Sequence, residues 1–296
     1  MKLLLYLILA HLVADFVLQS DQLVKSKNDY YKEFNKYISI KNPLLKHGIL
    51  VLLSMQILHL FYDNSLLIIL MTIIITTGHL LIDHKKLIIT QQSCKNGLLY
   101  FSLEQFLHLL WIYFASIFFK VSYTQKYIWL FGSYKSKYNN GEIEIPDIDT
   151  YILGSIIILI LFSIVAGSVI SFILEKLKIV NNEVDVHVIE ISNVMIEEGG
   201  VSDVQEEIAV SNEPSLAMSK TNQKIGIKIG IIERLLVIIF VAMGQYSAMG
   251  LILAVKSITR FEELKNKKKS EYYLLGTLLS FLFGILGGLL IKRLID

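Results

Sequence analysis

Long apolar runs alternate with short polar stretches along the whole chain. A helix needs about 20 residues to cross the hydrocarbon core of a bilayer, and seven runs approach that length. Because a segment in lipid must satisfy its own backbone hydrogen bonds, each run is predicted to be helical. The chain is therefore predicted to be an all-α, polytopic integral membrane bundle with six or seven transmembrane helices. The predicted spans are residues 2–20, 44–62, 65–83, 98–119, 150–174, 229–255 and 272–291.

The polar stretches divide the chain into four predicted parts. The third part is the only long hydrophilic region, and its acidic composition is typical of a linker that could also bind a cytoplasmic protein partner. Alternation of Val184, Val186 and Val188 allows one short strand there. The parts are a four-helix membrane module (1–120), an extramembrane loop with the fifth span (121–174), the acidic loop (175–228) and a C-terminal membrane hairpin with a basic loop (229–296).

The composition agrees with a membrane protein and narrows the function. The 296 residues are 54% hydrophobic and only 18% charged, whereas soluble domains average about 25% charged residues. A formal net charge of +2 provides no bulk attraction to nucleic acid, so nucleic-acid binding is not expected. The single cysteine, Cys94, excludes an intrachain disulfide.

Lysines predict the orientation in the membrane. Residues 21–46 are lysine-rich, so the positive-inside rule places this loop in the cytoplasm and the N-terminus outside. The basic stretch at 256–271 would then fall outside if every segment crossed the membrane. A re-entrant segment over residues 229–258, bending near Gly244 and Gln245, would remove that conflict.

Ionisable residues lie inside the first four spans, where charge is costly and therefore points to function. Three of these helices carry a histidine and a carboxylate four residues apart, which places both on one helix face. Counted at 1.5 Å per residue from the lysine-rich side, the groups fall in the same half of the bilayer. His59 and Asp63 share the spacing but lie at the opposite edge, so they are excluded. The predicted site comprises His11, Asp15, His47, His79, Asp83, Glu104 and His108.

Histidine and carboxylate side chains are ligands of zinc, iron and manganese. Seven groups exceed the four ligands of one tetrahedral ion, so one or two divalent ions are predicted. All seven residues are candidate ligands, while Glu104 could also act as a general base and His108 as a proton carrier. The main hypothesis is a metal-dependent hydrolase or transferase that acts on a phosphate or acyl ester of a lipidic substrate.

Other functions fit the same residues. The polar groups could be hydrogen bonds that hold four helices together, or the translocation site of an ion- or proton-coupled transporter. A third alternative is a non-catalytic membrane effector or scaffold that binds its partner through residues 175–228. Lys85 and Lys86 are expected to mark the cytoplasmic edge of the membrane, and alternatively one of them could bind an anionic headgroup beside the site. Lys267, Lys268 and Lys269 are expected to contact anionic lipid headgroups.

The C-terminal part carries two features without evident chemistry. Glu233 and Arg234 open the sixth segment, and their charges are expected to pair with other helices. The last span has small residues at intervals of four, which let helices approach closely. Packing within the monomer is favoured over a homo-oligomer contact. The stripe comprises Gly276, Ser280, Gly284 and Gly288.

The string His11-Leu-Val-Ala-Asp15-Phe-Val-Leu-Gln19 resembles the opening motif of a bacterial membrane family, domain of unknown function 3307. That family also has a histidine near the start of its second span, a His-x-x-x-Asp followed by lysine, and an acidic residue before Gln-x-x-His. These places are filled by His47, by His79 to Asp83 with Lys85, and by Glu104 to His108.

The resemblance covers about residues 1–115, and the family commonly has aspartate where this chain has Glu104. It implies a multi-pass protein of the bacterial cytoplasmic membrane and no particular activity. The repeated His-x-x-x-Asp spacing is also similar to that of zinc phospholipase C and of membrane metal-dependent hydrolases.

Overall fold

The computed structural model describes residues 2–34, 42–57, 65–92, 97–119, 148–177, 214–259 and 267–295. Nearly all of these residues are helical, and none of them forms a strand. The predicted all-α class is therefore confirmed for the described part of the chain. The strand predicted near Val184, most of the acidic loop, His59 and Asp63 lie outside the described residues.

The described helices follow the apolar runs closely in the first half of the chain. Two of them contain a π-helical turn, at Val13–Leu18 directly after α1 and at Leu161–Val165 directly after α6. The second of these continues as helix over 166–177. The helices are α1 (Lys2–Leu12), α2 (Asp21–Phe34), α3 (Pro43–Gln56), α4 (Ser65–Gln92), α5 (Gly97–Phe118), α6 (Ile148–Ile160), α7 (Pro214–Ala242), α8 (Tyr246–Thr259) and α9 (Lys267–Ile295).

Four described helices are long and apolar enough to cross a membrane. They are Leu66–Ile89, Gly97–Phe118, Thr150–Leu177 and Tyr273–Ile295. The bent pair Lys2–Leu18 and Gln22–Asp29 makes a fifth if it counts as one broken span. Their outer faces carry exposed apolar side chains such as Leu66 and Phe106, which suits contact with lipid rather than water.

The C-terminal helices differ from the predicted segments in two ways. First, α7 begins at Pro214, well inside the stretch predicted as linker, because proline suits the first turn of a helix and no second proline interrupts it. Second, α7 and α8 are separate helices broken at 243–245, where Gly244 has a φ of 71°. A helix break therefore lies where the re-entrant bend was predicted, the re-entrance itself stays a prediction, and glycine adopts its left-handed backbone conformation without strain.

The chain forms two compact units, Met1–Ile160 with Leu294–Asp296, and Leu161–Arg293. The division falls inside the fifth predicted span and does not follow the four predicted parts. In the first unit α1, α3, α4 and α5 pack together. In the second unit α7 packs against α8 and against the helical turn Leu161–Val165.

The core of the first unit explains where its polar residues lie. The residues one turn from the four histidines, four positions before or after each, are buried and apolar. The step is backward in α1 and α4 and forward in α3 and α5, as helices that alternate in direction require. An apolar layer therefore lies directly beside a polar layer. The residues are Leu7, Val51, Ile75 and Ile112.

Small residues hold the last helix of the second unit close to α7. A side chain at Gly284 would have its Cβ 2.7 Å from Val237, and one at Gly288 would lie 2.8 Å from the main-chain oxygen of Ile238. The packing of this stripe within the monomer, favoured from the sequence, is therefore observed for these two glycines.

Candidate metal centre

Four helices bring four histidines and two aspartates into one buried cluster in the first unit. His11, His47, His79 and His108 are all at most 2% exposed, and Asp83 is 4% exposed. The Asp15 side chain is 8% exposed. These six are among the seven residues predicted from the sequence.

The arrangement of each helix explains which face carries these side chains. Asp15 lies in the π-helical turn that follows α1, an irregularity found often at functional sites. Its Oδ2 is 3.8 Å from His11 Nδ1. Asn42 caps α3, accepting a hydrogen bond from the Leu44 main-chain N at 2.9 Å, and so fixes the first turn ahead of His47.

The side-chain atoms converge from different helices. Asp15 Oδ1 lies 3.3 Å from His47 Nε2 and 3.5 Å from His79 Nε2. Asp83 Oδ2 lies 3.6 Å from His47 Nε2, and Asp83 Oδ1 lies 3.5 Å from His108 Nε2. The two Nε2 atoms of His47 and His79 are 2.9 Å apart. Each aspartate therefore reaches histidines of two other helices.

The histidine rings pack against one another, some stacked and some at an angle. The His79 and His108 rings stack with centroids 4.0 Å apart, and His11 contacts both rings at 5.3 and 5.1 Å. Four imidazoles this close would repel one another if several were protonated. Neutral rings, each with one lone pair, are the form in which histidine binds a metal.

Two overlapping sets of side chains have ligand atoms close enough for a metal ion. His11, Asp15, His79 and His108 form the first set, and His47, His79 and Asp83 form the second; within each set all ligand atoms lie within 4.8 Å of one another. Ligands held at about 2.0–2.1 Å from one ion stand about 3–3.5 Å apart, close to the measured separations. The first set is a three-histidine, one-carboxylate site, and the second has two histidines and one carboxylate.

Several ligand atoms in this cluster lack hydrogen-bond partners among the described residues. Both ring nitrogens of His11, and Nδ1 of His47 and of His108, are buried without a hydrogen bond. Buried polar atoms are normally satisfied, and each exception needs an explanation. A neutral imidazole has one nitrogen lone pair, so a cation could take one nitrogen of each ring, and the residues present fit a metal ion.

Glu104 lies outside both sets, although it is on the same face of α5 as His108. Its carboxylate, 8% exposed, accepts a hydrogen bond from Lys86 Nζ in α4. Glu104 is thus placed beside the cluster, as an ion-paired carboxylate at its edge.

Two lysines that were not among the predicted site residues also belong to the site. Lys27 in α2 is 8% exposed and donates a hydrogen bond from Nζ to Asp83 Oδ2 at 3.2 Å. With its amide in the orientation that satisfies both ends, Gln19 accepts from Lys27 Nζ at 2.8 Å and donates to the Asp15 main-chain oxygen at 3.2 Å. Lys86, predicted to mark the membrane edge, is the second. One of several lysines in an interfacial helix carries no sequence signal that separates it from the others.

Residues 3–131 match the model of a protein family described as "Protein of unknown function (DUF3307)". The match spans all seven predicted site residues, and the family resemblance read from the His11 to Gln19 motif is confirmed. The chain therefore contains a domain of this family. No curated protein matches the chain, and neither does any solved structure.

Proposed function

We propose that the first unit binds divalent metal inside the membrane and uses it to hydrolyse or transfer a phosphate or acyl ester of a lipid. One observation carries this proposal: Asp15 is the buried carboxylate of the site whose charge has no lysine or arginine partner among the described residues. Asp83 is paired with Lys27, and Glu104 with Lys86. The groups around Asp15 are instead imidazoles, and neither ring nitrogen of His11 has a hydrogen-bond partner among the described residues.

The residues have distinct proposed roles. His11, Asp15, His47, His79, Asp83 and His108 would hold one or two ions of zinc, manganese or iron. A divalent ion there would polarise the ester and make water a stronger nucleophile. Glu104 would act as general base at the edge of the cluster, where Lys86 holds its carboxylate in place. His108, one turn from Glu104, would carry protons when it is not a ligand.

The site also suits a lipidic substrate. The polar layer is backed by the apolar core of the same four helices, and the outer faces of α4 and α5 carry exposed apolar residues such as Leu103 and Phe106. A substrate that arrives from the bilayer would present its ester to the polar layer and leave its chains in lipid. Lys86, one-third exposed, would attract an anionic headgroup.

For the whole chain we propose six or seven membrane crossings in a bacterial cytoplasmic membrane. The shorter apolar helices α3 and α8 would supply spans in addition to the four long ones. Residues 175–228 would bind a cytoplasmic protein, and the small-residue stripe of α9 would also serve a homo-oligomer. Deletion of residues 183–222 should then abolish only the partner-dependent function.

A second candidate function is an ion- or proton-coupled transporter. The observation that favours it is the pair of Nε2 atoms of His47 and His79, 2.9 Å apart, which can share one proton. Such a protein would move a cation through the cluster without chemistry on a lipid.

The test is the metal content of full-length protein purified in detergent without chelators. We expect about one or two divalent ions per chain in the wild type, and almost none in His79→Ala, because His79 belongs to both ligand sets. The matched control is His84→Ala, a histidine of the same helix outside both sets. Metal-free wild-type protein would refute the metal-dependent function. Metal-loaded protein that transports the ion in sealed proteoliposomes, and releases neither phosphate nor fatty acid from lipids, would establish the transporter instead.

A further inference from the structure

The second unit has its own buried polar cluster, centred on Arg234 in α7. Arg234 is 4% exposed, and its Nε donates to the main-chain oxygen of Ser163 at 2.8 Å. Its Nη1 donates to Ser280 Oγ in α9 at 3.2 Å. Ser163 and Ser280 are themselves 2% and 6% exposed. Two other helical segments thus contact the guanidinium that α7 carries.

The depth of this cluster makes the charge costly. The candidate span Thr150–Leu177 has 28 residues, so Ser163 lies at its middle, about 20 Å from either end. An ionisable residue at such depth is expensive unless it is neutralised, and it is a functional hypothesis by default.

The charge of Arg234 has no carboxylate partner among the described residues. The carboxylate nearest in sequence, Glu233, forms an ion pair with Lys256 in α8, whose Nζ donates to Glu233 Oε2 at 2.5 Å. That pair is neutral as a whole. One positive charge therefore remains in the interior of this unit.

The cluster also has unused hydrogen-bonding capacity. Only two of the five guanidinium N–H groups donate to a described residue. The hydroxyl of Thr277, 8% exposed and one turn before Ser280 in α9, is buried without a hydrogen-bond partner. Gly167 lets the guanidinium approach the helix that carries Ser163, since a Cβ there would lie 2.7 Å from Nη2.

We propose that Arg234, with the hydroxyls of Ser280 and Thr277, binds a singly charged oxyanion, the carboxylate or phosphate group of an amphiphile or of a free ion. A planar guanidinium donates two parallel hydrogen bonds to such a group, and hydroxyls complete the ring of donors. A single negative charge neutralises the site. The proposal does not depend on the metal centre, because the two use different residues in different units.

The test uses full-length protein in a neutral detergent, with thermal unfolding measured against increasing concentrations of sodium oleate, dioleoylphosphatidylglycerol or inorganic phosphate. Dioleoylglycerol is the uncharged control. We expect at least one of the three anions to raise the Tm of the wild type. Stabilisation by oleate or phosphatidylglycerol alone identifies an amphiphile, and stabilisation by inorganic phosphate identifies a free ion. Arg234→Gln should weaken that binding about tenfold or more, because it removes a charge-assisted pair.

The matched control is Arg293→Gln, which changes an exposed arginine of α9 and should bind the anion as the wild type does. Arg234→Lys should bind the anion weakly, since the ammonium group lacks the two parallel N–H donors of the guanidinium. If Arg234→Gln does not fold, Thr277→Val and Ser280→Ala keep the charge and should each weaken binding a few-fold. Equal stabilisation of the wild type and these variants by every probe, or no stabilisation of the wild type, would overturn the proposal.

Discussion

Among the described residues, each of the two units buries one charge that has no ion-pair partner of the lysine, arginine, aspartate or glutamate type, and the two charges have opposite signs. In the first unit the charge is Asp15, which is surrounded by imidazole nitrogens. In the second unit it is Arg234, which is surrounded by a carbonyl and a hydroxyl. One cluster offers lone pairs and the other offers N–H and O–H donors. The imidazoles around Asp15 could therefore complete the coordination of a cation, whereas the remaining N–H groups of Arg234 and the nearby hydroxyls could hold an anion.

The remaining buried charges of the described residues make this difference informative. Lys27 pairs with Asp83, Lys86 with Glu104, and Lys256 with Glu233. Burying an unpaired charge costs several kcal/mol, about the whole margin of stability of a small domain. The other buried charges of the described residues are neutralised by side chains, and this contrast is why we propose ligands for these two.

The largest expected effect is on metal binding, and it distinguishes a site with one metal ion from a site with two. His79 belongs to both ligand sets, whereas His11 belongs only to the first and His47 only to the second. If two ions bind, His11→Ala and His47→Ala should each keep about half of the wild-type metal content. His79→Ala should lower divalent-metal affinity more than about 100-fold, beyond the usual effect of residues that only orient ligands. Elemental analysis and metal titration measure this.

The anion site provides the control for those variants. Because His11, His47 and His79 lie in the first unit, none of them should change the Tm shift caused by the anion that binds at Arg234. Loss of all metal from both His11→Ala and His47→Ala would show that one ion uses residues of both sets. Loss of anion binding in these variants would contradict the independence of the two sites.

The next largest effect concerns Lys27, the buried lysine that pairs with Asp83 in the first unit. Lys27→Met removes the partner of Asp83 and leaves that carboxylate buried and unpaired. We expect the metal-free protein to lose about 3 kcal/mol of unfolding free energy. Bound divalent metal should restore most of that loss, because it replaces the lysine charge at Asp83.

Lys25→Met is the matched control, since Lys25 is exposed on the same helix and its loss should change stability by less than about 0.5 kcal/mol. Chemical denaturation with and without metal measures both variants. An equal loss of stability in the metal-free and metal-loaded states would mean that Lys27 serves packing rather than charge balance.

The sequence predicts much of the first site because its signal is local. A histidine and a carboxylate four residues apart share a helix face wherever that helix lies, so the spacing alone pairs His11 with Asp15 and His79 with Asp83. Depth within the spans then predicts that the pairs lie at one level. Contacts between helices need more: nothing in the spacing shows that Lys27 turns inward while Lys25 faces out.

The second site was not predicted, because its parts are far apart in sequence and individually ordinary. Ser163, Arg234 and Ser280 come from three segments, and only the packing of these helices joins them. Helix limits were missed for a similar reason. The polar start of α7 has no apolar periodicity, so hydropathy alone cannot separate it from the linker before Pro214.

The smallest effect tests how far the first site depends on the start of one helix. Asn42→Ala removes the side chain that accepts from the Leu44 main-chain N at the start of α3, and should cost about 1 kcal/mol of unfolding free energy. Since His47 lies in the next turn, the variant should also weaken the ion bound by His47, His79 and Asp83 more than the other ion. Asn42→Asp keeps an acceptor at the cap and should restore both properties. Metal titration of the three proteins measures this, and a uniform loss at both ions would show that the cap stabilises the unit as a whole. Anion binding at Arg234 should stay unchanged throughout, because no residue of that cluster lies in α3.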